Sequence, residues 1–154
     1  MNISKKGIDF IKEAEGTVLH AYKDAAGIPT IGIGCIRYKD GSPVKMGDVI
    51  TMEEAEDLLK HELETKIRDI NTLLGDTVVN QNQFDSIVSL VYNIGVGDIS
   101  KMQRGFAGST VLKRIKQNPN DPEIRNAFLM WTKITKNGIK VQSPGLLNRR
   151  KKEA

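Results

Sequence analysis

The sequence predicts an α+β fold in which a small β-hairpin lobe is joined by a long helix to a mostly helical lobe. Residues 17–35 lose helical spacing and contain a turn sequence around Gly27, as a β-hairpin does. An apolar stripe at helical spacing then extends from Ala55 to Leu74. Beyond it, capping patterns and glycine stops divide the chain into shorter helices.

The first predicted element is a helix that begins after Ser4 and ends before Gly16. Serine is a favoured N-cap, and glycine is common just after a helix. Between them Ile8, Ile11 and Ala14 recur at helical spacing.

The next predicted element is a β-hairpin with Gly27 in its turn. Pro29 has no backbone N–H, so its strand begins there or lies at an edge. In a strand continuing to Gly34, alternation places Thr30 on one face with Gly32 and Gly34. Because interior glycines often mark the close approach of a ligand, we expect this face to form the floor of a cleft.

A long helix is predicted after a turn-rich segment. Residues 37–50 contain turn sequences and leave room for a third short strand. Thr51 and Glu54 then form a capping-box pattern, and Gly75 ends the apolar stripe behind it. This helix is long for a globular domain, so we expect it to connect the two lobes.

The rest of the chain predicts shorter helices separated by turns. Residues 80–83 form a second capping-box pattern, and the helix that follows ends at Gly95. Asp121 precedes Pro122 as an N-cap precedes a proline at the first helical position. The remaining breaks are a turn at Asn137-Gly138 and the start of a basic helix at Ser143-Pro144.

Size and composition indicate one globular domain. Of the 154 residues, 39% are hydrophobic and 27% charged, which is ordinary for such proteins. No apolar run approaches the roughly 20 residues of a membrane span, and the first seven residues lack the apolar stretch of a signal peptide. The expected parts are one domain over 1–154, a small lobe at about 15–52, a connecting helix at about 52–74, and a helical lobe at about 78–154 with the N-terminal helix.

Few residues are available for metal or thiol chemistry. Cys35 is the only cysteine, and His20 and His61 are the only histidines. An intrachain disulfide and a cysteine-based zinc site are therefore excluded, and no metal or cofactor is expected.

The net charge of +4 hides an asymmetry between two parts of the chain. Residues 1–100 carry a formal charge of −6, and residues 101–154 carry +10. This pattern favours a polyanionic partner such as nucleic acid, a membrane surface or an acidic polymer. The alternatives are a basic face that is simply solvated and, for Arg149 and Arg150, packing within the helical lobe as structural ion pairs.

Glu15 has an unusual place, in the last turn of the first helix. A helix C-terminus carries partial negative charge, so a carboxylate there is disfavoured. Such a field favours the protonated form and suits a general acid. The alternative is an exposed glutamate with no role.

Two more polar side chains follow Glu15 closely, at Asp24 and Thr30. A carboxylic acid, a second carboxylate and a hydroxyl are what glycoside hydrolysis by water attack requires. One carboxyl protonates the leaving oxygen, the other activates water, and the hydroxyl holds that water. The alternative for Asp24 is a turn former only.

The spacing of Glu15, Asp24 and Thr30 resembles the catalytic pattern of the phage-type lysozymes, the endolysins of glycoside hydrolase family 24. The resemblance covers almost the whole chain in order. It is carried by Glu15-Gly16, Ala21-Tyr22-Lys23-Asp24, Thr30-Ile31-Gly32-Ile33-Gly34, residues 83–89, residues 92–95, Phe106, residues 109–112, Trp131, and residues 144–150.

The resemblance implies a lysozyme-like fold with the active-site cleft between the two lobes, and it implies roles for particular residues. Glu15 is expected to be the general acid, and Asp24 is expected to act with Thr30 on the attacking water, with inversion at the anomeric carbon. The positions expected to line the sugar cleft are Ile36, Tyr92, Asn93 and Ser109. For Tyr92 the alternative is a core aromatic at a helix end, and for Ser109 it is a helix N-cap.

Cys35 stands where the family usually has a histidine. Because that histidine is generally structural, we expect the change to affect stability or local packing rather than catalysis. The alternative is that Cys35 acts as a nucleophile, but only Arg37 supplies a nearby positive charge in sequence. A small buried cysteine is the more common case.

The function that the resemblance implies is that of a muramidase, a lysozyme that hydrolyses the β-1,4 bond between N-acetylmuramic acid and N-acetylglucosamine in peptidoglycan. A monomer is expected, held in the host bacterial cytoplasm until a holin opens the membrane. Two other classes compete with this reading. One is an inert wall- or partner-binding module, which the intact Glu15, Asp24 and Thr30 argue against. The other is a nucleic-acid binder that uses the basic part, for which the sequence offers no aromatic platform.

Overall fold

The computed structural model of the protein describes residues 1–24, 26–131, 133–136, 139–142 and 144–154. Within these residues the elements are α1 (Lys5–Glu15), β1 (Val18–Lys23), β2 (Pro29–Gly32), α2 (Met52–Leu74), α3 (Gln81–Ile94), α4 (Thr110–Gln117), α5 (Ile124–Leu129), β3 (Lys133–Lys136), β4 (Ile139–Gln142) and α6 (Pro144–Glu153). The predicted α+β class and the predicted long helix are confirmed. None of the helices in the described ranges is long and apolar enough to cross a membrane.

The chain divides into two compact units. One comprises Ile8–Thr65 and is called the hairpin unit below. The other comprises Met1–Gly7 and Lys66–Ala154 and is called the helical unit.

Helix α1 has the ends that the sequence predicts. The hydroxyl of Ser4 accepts a hydrogen bond from the backbone N–H of Gly7 (3.1 Å), as an N-cap does. The same hydroxyl donates to the carboxylate of Asp85, whose other oxygen accepts the backbone N–H of Ser4 (3.0 Å). At the other end Gly16 has a φ of +73° and donates its N–H to the carbonyl of Lys12 (2.8 Å).

The hairpin unit is built on the antiparallel pair β1–β2. Tyr22 lies opposite Thr30, and the register shifts between Val18 and Tyr22. Within the shifted segment, Ala21 donates its N–H to the carbonyl of Asp48 (2.9 Å). A single bridge between His20 and Val49 accompanies this bond, so the chain after the hairpin pairs with β1 without forming the third strand for which the sequence left room.

The prediction of one strand continuing through Gly34 is wrong, because β2 ends at Gly32. The backbones of Ile31 and Cys35 exchange two hydrogen bonds (2.8 and 3.0 Å), which close a tight turn over residues 32–34. Both glycines of the turn have positive φ values, +68° and +73°, which residues with a Cβ rarely adopt. Gly34 is therefore a turn residue and Gly32 is the last residue of β2, so the two do not form one bare strand face.

A small core holds the hairpin unit together. Its buried members are Ala21, Ile31, Cys35, Val44, Ile50, Ala55 and Leu58, with Leu19 and Tyr38 packed against them. Helix α2 contributes Ala55 and Leu58, so burial of apolar surface joins the β-hairpin to the first turns of the long helix.

In the helical unit, α3 begins with the predicted capping box. The side chain of Asn80 accepts the N–H of Gln83 (2.8 Å), and the Gln83 side chain accepts the N–H of Asn80 (2.8 Å). Helix α3 is buried along much of its length, and α6 packs against both α3 and α5.

Two details of the helical unit differ from the sequence prediction. Helix α5 begins at Ile124, and Asp121 caps the preceding turn by accepting the N–H of Glu123 (2.9 Å) rather than capping a helix at Pro122. The antiparallel pair β3–β4 was not predicted. The turn predicted at Asn137-Gly138 lies outside the described residues, as does Ser143.

Candidate active site

The three predicted catalytic side chains all belong to the hairpin unit. Glu15 is the last residue of α1, Asp24 follows directly after β1, and Thr30 is the second residue of β2. The end of the first helix and the turn of the hairpin therefore supply all three groups.

The carboxylate of Glu15 lies against the backbone of Gly34. A Cβ atom placed on Gly34 would come within 2.7 Å of Oε2 and 3.2 Å of Cδ of Glu15. The side chain of Glu15 is half-buried. The turn at residues 32–34 therefore forms a surface against which this carboxylate rests.

Asp24 organises the turn of the hairpin. Its Oδ1 accepts the backbone N–H groups of Ala26 (2.8 Å) and Ile28 (2.9 Å). Its backbone N–H donates to the carbonyl of Ile28 (3.0 Å), and its carbonyl accepts the N–H of Gly27 (2.9 Å). Asp24 therefore forms the turn, as its alternative proposed, and its catalytic role stays a prediction. Among the described residues no donor reaches Oδ2, so one carboxylate oxygen is fixed and the other remains able to accept a proton or a water.

Thr30 is more deeply buried than a residue on an open strand face, with 3% of its surface exposed. Its hydroxyl donates to the carbonyl of Ile28 (2.9 Å), which directs the hydroxyl lone pairs away from the turn. A hydroxyl held in this way acts as an acceptor toward a further donor such as water.

Tyr22 is the site residue to which sequence analysis gave no role. Burial raises the pKa of its phenol, and the negative charges of Glu15 and Asp24 raise that pKa further. Both carboxylates therefore act electrostatically on one phenol, which lies opposite Thr30 across the sheet. Its position two residues before Asp24 on an alternating strand was the available signal.

The predicted sugar-binding residues lie in both units. Ile36 is 43% exposed in the hairpin unit, directly after Cys35. In the helical unit Tyr92 is half-buried, and the ammonium of Lys66 lies 5.9 Å from the centre of its ring. Asn93 is exposed, and its Oδ1 accepts a hydrogen bond from Arg150.

Ser109 has the structural role that was the alternative for it. Its hydroxyl accepts the N–H of Leu112 (3.1 Å) as the N-cap of α4 and donates to the carbonyl of Phe106 (2.7 Å). With 3% of its surface exposed, both functions of the hydroxyl are used inside the protein. Contact with a sugar stays a prediction for this residue.

The basic C-terminal helix contains a buried charged network. Arg149 and Arg150 both donate to the carboxylate of Glu153, and the hydroxyl of Ser89 donates to it as well. Burial raises the pKa of Glu153, against the lowering effect of the two guanidinium groups. The alternative in which Arg149 and Arg150 form structural ion pairs is therefore confirmed. In the same helix Lys151 and Lys152 are exposed.

Within the part of the chain that the structure describes, no group of three or more His, Cys, Asp or Glu side chains is arranged to hold a metal ion.

Comparison with known proteins connects this geometry to one family. The phage lysozyme family matches residues 12–153. The endolysin of Salmonella phage P22 is 41% identical over 136 residues, covering 88% of this chain and 87% of its own. The endolysin of Acyrthosiphon pisum secondary endosymbiont phage 1 is 38% identical over 154 residues, covering 99% and 95%.

A solved structure agrees with these relatives. The endolysin from Escherichia coli O157:H7 phage FAHEc1 superposes with a TM-score of 0.87 at 44% identity, covering 99% of this chain and 90% of its own. The chain therefore belongs to the phage lysozyme family and is an enzyme that acts on the peptidoglycan of the bacterial cell wall.

Proposed function

We propose that the protein hydrolyses the β-1,4 bond between N-acetylmuramic acid and N-acetylglucosamine by direct attack of water, with Glu15 as the general acid. One observation carries this proposal. Asp24 and Thr30 are both hydrogen-bonded to Ile28, the carboxylate of Glu15 lies against Gly34 four residues beyond Thr30, and the charges of both carboxylates act on the phenol of Tyr22 opposite Thr30. This grouping supports the arrangement that the reaction needs.

In the proposed reaction Glu15 transfers its proton to the glycosidic oxygen as the bond from that oxygen to the anomeric carbon breaks. Glu15 is half-buried at the C-terminal end of α1, so part of its side chain remains accessible for contact with a substrate. The contact with Gly34 keeps the carboxyl group in one place while the proton moves.

Water attacks the anomeric carbon from the opposite face, and its proton passes to Asp24. Two backbone N–H groups fix Oδ1 of Asp24, so Oδ2 is the oxygen that faces the water in this proposal. The hydroxyl of Thr30 accepts the second hydrogen of the water, because its own proton is used by the carbonyl of Ile28. Attack by water without a covalent intermediate inverts the configuration at the anomeric carbon.

Four side chains are proposed to contact the sugars. Ile36 offers an exposed apolar surface, and Tyr92 offers an aromatic edge beside Lys66. Asn93 offers an exposed amide. The fourth is Ser109, whose hydroxyl already makes two hydrogen bonds within the protein. Only its remaining lone pair can accept a bond from the sugar in this proposal.

The proposal extends to how the enzyme works in the cell. We propose a single catalytic domain that acts as a monomer, held in the host cytoplasm until a holin opens the membrane. The name endolysin, which the two phage relatives carry, supports this part of the proposal. Fractionation of a host that expresses the protein tests the proposed location, and the enzyme should be recovered in the cytoplasmic fraction. Lysis should require a membrane-permeabilising agent, and lysis without one would contradict the proposed route.

The test of the chemistry combines one substitution with analysis of the products. Glu15→Gln keeps the shape but cannot donate the proton, so clearing of bacterial walls should fall at least about 100-fold, within the roughly 10²–10⁴ of general acid catalysis. Glu13→Gln, an exposed residue of the same helix, is the matched control and should retain activity. Products of the unmodified protein should carry the new reducing end on N-acetylmuramic acid. Activity of Glu15→Gln within a few-fold of the unmodified protein, or a reducing end on the other sugar, would contradict the proposal.

A further inference from the structure

Asn93 is an exposed residue one position before the end of α3, and its side chain is hydrogen-bonded to a buried arginine. Arg150 has 0% of its surface exposed, yet one of its guanidinium nitrogens donates to Oδ1 of Asn93. Arginine carries N–H donors and no acceptor. The oxygen of the Asn93 amide must therefore face Arg150, and its NH2 group must face away from it.

The guanidinium of Arg150 is itself fixed in place. A second nitrogen donates to Oε1 of Glu153, whose other oxygen accepts the hydroxyl of Ser89 and the Nε of Arg149 (3.4 Å). Arg149 donates in addition to the backbone carbonyl of Ser89 (3.0 Å). These charge-assisted bonds join α6 to α3 among buried side chains, where they are stronger than at the surface.

The outward side of the Asn93 amide is left as a pair of donors. Among the described residues, no acceptor reaches Nδ2, and the residue is exposed. An amide whose oxygen is held does not flip to offer that oxygen to a ligand. The surface beside Tyr92 therefore presents N–H groups and no acceptor at this position.

We propose that Arg150 is a positioning residue that orients the amide of Asn93, so that Asn93 donates a hydrogen bond to an amide-type carbonyl oxygen of the substrate. Both sugars of the proposed substrate carry such a carbonyl in their N-acetyl groups, and a carbonyl is a strong neutral acceptor for an amide N–H. This inference rests on the proposed function, because it names the group that Asn93 binds in that site.

The substitution that tests the inference is Asn93→Asp. An aspartate keeps an oxygen toward Arg150, and the bond becomes an ion pair. This gain offsets the unfavourable field that the C-terminus of α3 exerts on a carboxylate, so the fold should be about as stable as before. Its other oxygen replaces the two donors and repels a carbonyl. Loss of binding that is equal in the ground and transition states raises KM and leaves kcat unchanged. With soluble, uncrosslinked peptidoglycan strands, KM should rise about tenfold, which corresponds to the roughly 1.4 kcal/mol of one hydrogen bond.

A matched control accounts for the added charge. Asn82 is exposed in the first turn of the same helix, and Asn82→Asp adds the same negative charge. If charge repulsion by the wall polymer were the cause, both variants would raise KM equally. We expect Asn82→Asp to leave KM within about twofold of the unmodified protein.

A double-mutant cycle links the effect to Arg150. Arg150→Lys removes the fixed planar donors, so it should also raise KM when Asn93 is present. In the Asn93→Asp background the donor is already lost, and Arg150→Lys should then raise KM no further. If Arg150→Lys does not fold, the KM values of Asn93→Asp and Asn82→Asp are sufficient to test whether Asn93 donates a hydrogen bond to the substrate.

Two results would overturn the inference. One is an Asn93→Asp variant with the same KM as Asn82→Asp. The other is a fall in kcat and in the unfolding temperature with KM unchanged, which a purely structural residue would give. Neither result affects the role proposed for Glu15, because that role is tested by the loss of wall-clearing activity in Glu15→Gln and not by the KM of the Asn93 variants.

Discussion

The carboxylate of Glu15 and the Cα of Gly34 lie so close that a methyl group on Gly34 would come within 2.7 Å of Oε2. This contact joins the end of the first helix to the turn that follows β2. The contact limits the positions that the carboxylate of Glu15, the proposed acid, can occupy.

Gly34→Ala should therefore displace the proposed acid. The positive φ of Gly34 adds about 1–2 kcal/mol of backbone strain to this variant. Gly41→Ala is the matched control, because Gly41 also has a positive φ but its Cβ would contact nothing within 4 Å. Both variants should lose stability by a similar amount in denaturant unfolding. Only Gly34→Ala should lose wall-clearing activity, by about tenfold or more for a misplaced reacting group. Equal activity of the two folded variants would contradict the proposed placement of Glu15.

The pKa of Tyr22 should report on the two carboxylates. Burial is the main cause of its raised pKa, and the charge of Glu15 is the next. In Glu15→Gln the phenol should titrate at a lower pH than in the unmodified protein while remaining above its ordinary value. Tyrosine absorbance or NMR during a pH titration measures this shift, with Glu13→Gln as the control. An unmoved titration of Tyr22 in Glu15→Gln would show that the two side chains are not close.

Cys35 is expected to matter for stability and not for turnover. It is buried in the core of the hairpin unit, with 2% of its surface exposed. Cys35→Ser places a more polar hydroxyl there and should cost about 1–3 kcal/mol, whereas Cys35→Ala should cost less if the polar group is the cause. The activity of the folded fraction should stay within a few-fold. Immediate inactivation by a thiol reagent in proportion to the thiol lost, with the fold unchanged, would instead support the nucleophile.

Charge reversal in α6 should separate exposed from buried basic residues. The hypothesis that the basic part attracts the anionic wall applies to Lys151 and Lys152, but not to Arg149, which is buried and bonded to Glu153. Reversing both lysines to Glu should lower activity on intact walls at low salt and flatten its decline with salt, because exposed charges are screened beyond about 10 Å at 0.1 M. Stability should be unchanged. Arg149→Glu should instead lower the unfolding temperature. An unchanged salt profile in the lysine variant would favour simple solvation.

The stability of the hairpin unit should depend on pH through Tyr38 and Asp48. The phenol donates to Asp48 (2.6 Å), burial and this bond raise the pKa of Tyr38 to about 12, and the bond lowers the pKa of Asp48. The contribution of Tyr38 is thus fully present below its ordinary pKa of 10.0 and is lost as pH rises through about 12. That of Asp48 is present above its ordinary value of 3.8 and is lost as pH falls below it. Denaturant unfolding at several pH values should show both declines, and Tyr38→Phe should reduce the alkaline one. An alkaline decline that is equally steep in Tyr38→Phe would exclude this pair as its source.

The sequence predicted those parts of the fold that depend on local signals. The capping serine, the second capping box and the apolar stripe of α2 are short-range patterns, and the structure has them where they were expected. The continuation of β2 through Gly34 is a wrong prediction, because glycine spacing does not distinguish a bare strand face from a strand end and turn with positive φ values at Gly32 and Gly34. The pair β3–β4 was missed because four-residue strands give little periodic signal.

The same limit applies to the site. The positions of Glu15, Asp24 and Thr30 were predicted from spacing and family resemblance. The electrostatic role of Tyr22 depends on burial and on which residue lies across the sheet, which sequence does not supply. The burial of Arg149 and Arg150 likewise depends on the packing of α6 against α3, so sequence alone leaves open whether these residues belong to an exposed basic surface or form buried ion pairs.

The configuration of the first product tests the central claim most directly. NMR spectra recorded in the first minutes of digestion, before mutarotation, distinguish the two anomers of the newly formed reducing end. Attack by a water held by Asp24 and Thr30 predicts that the α anomer appears first from the β-linked substrate. A β anomer appearing first would mean retention through a covalent intermediate, and it would contradict the roles proposed for both residues.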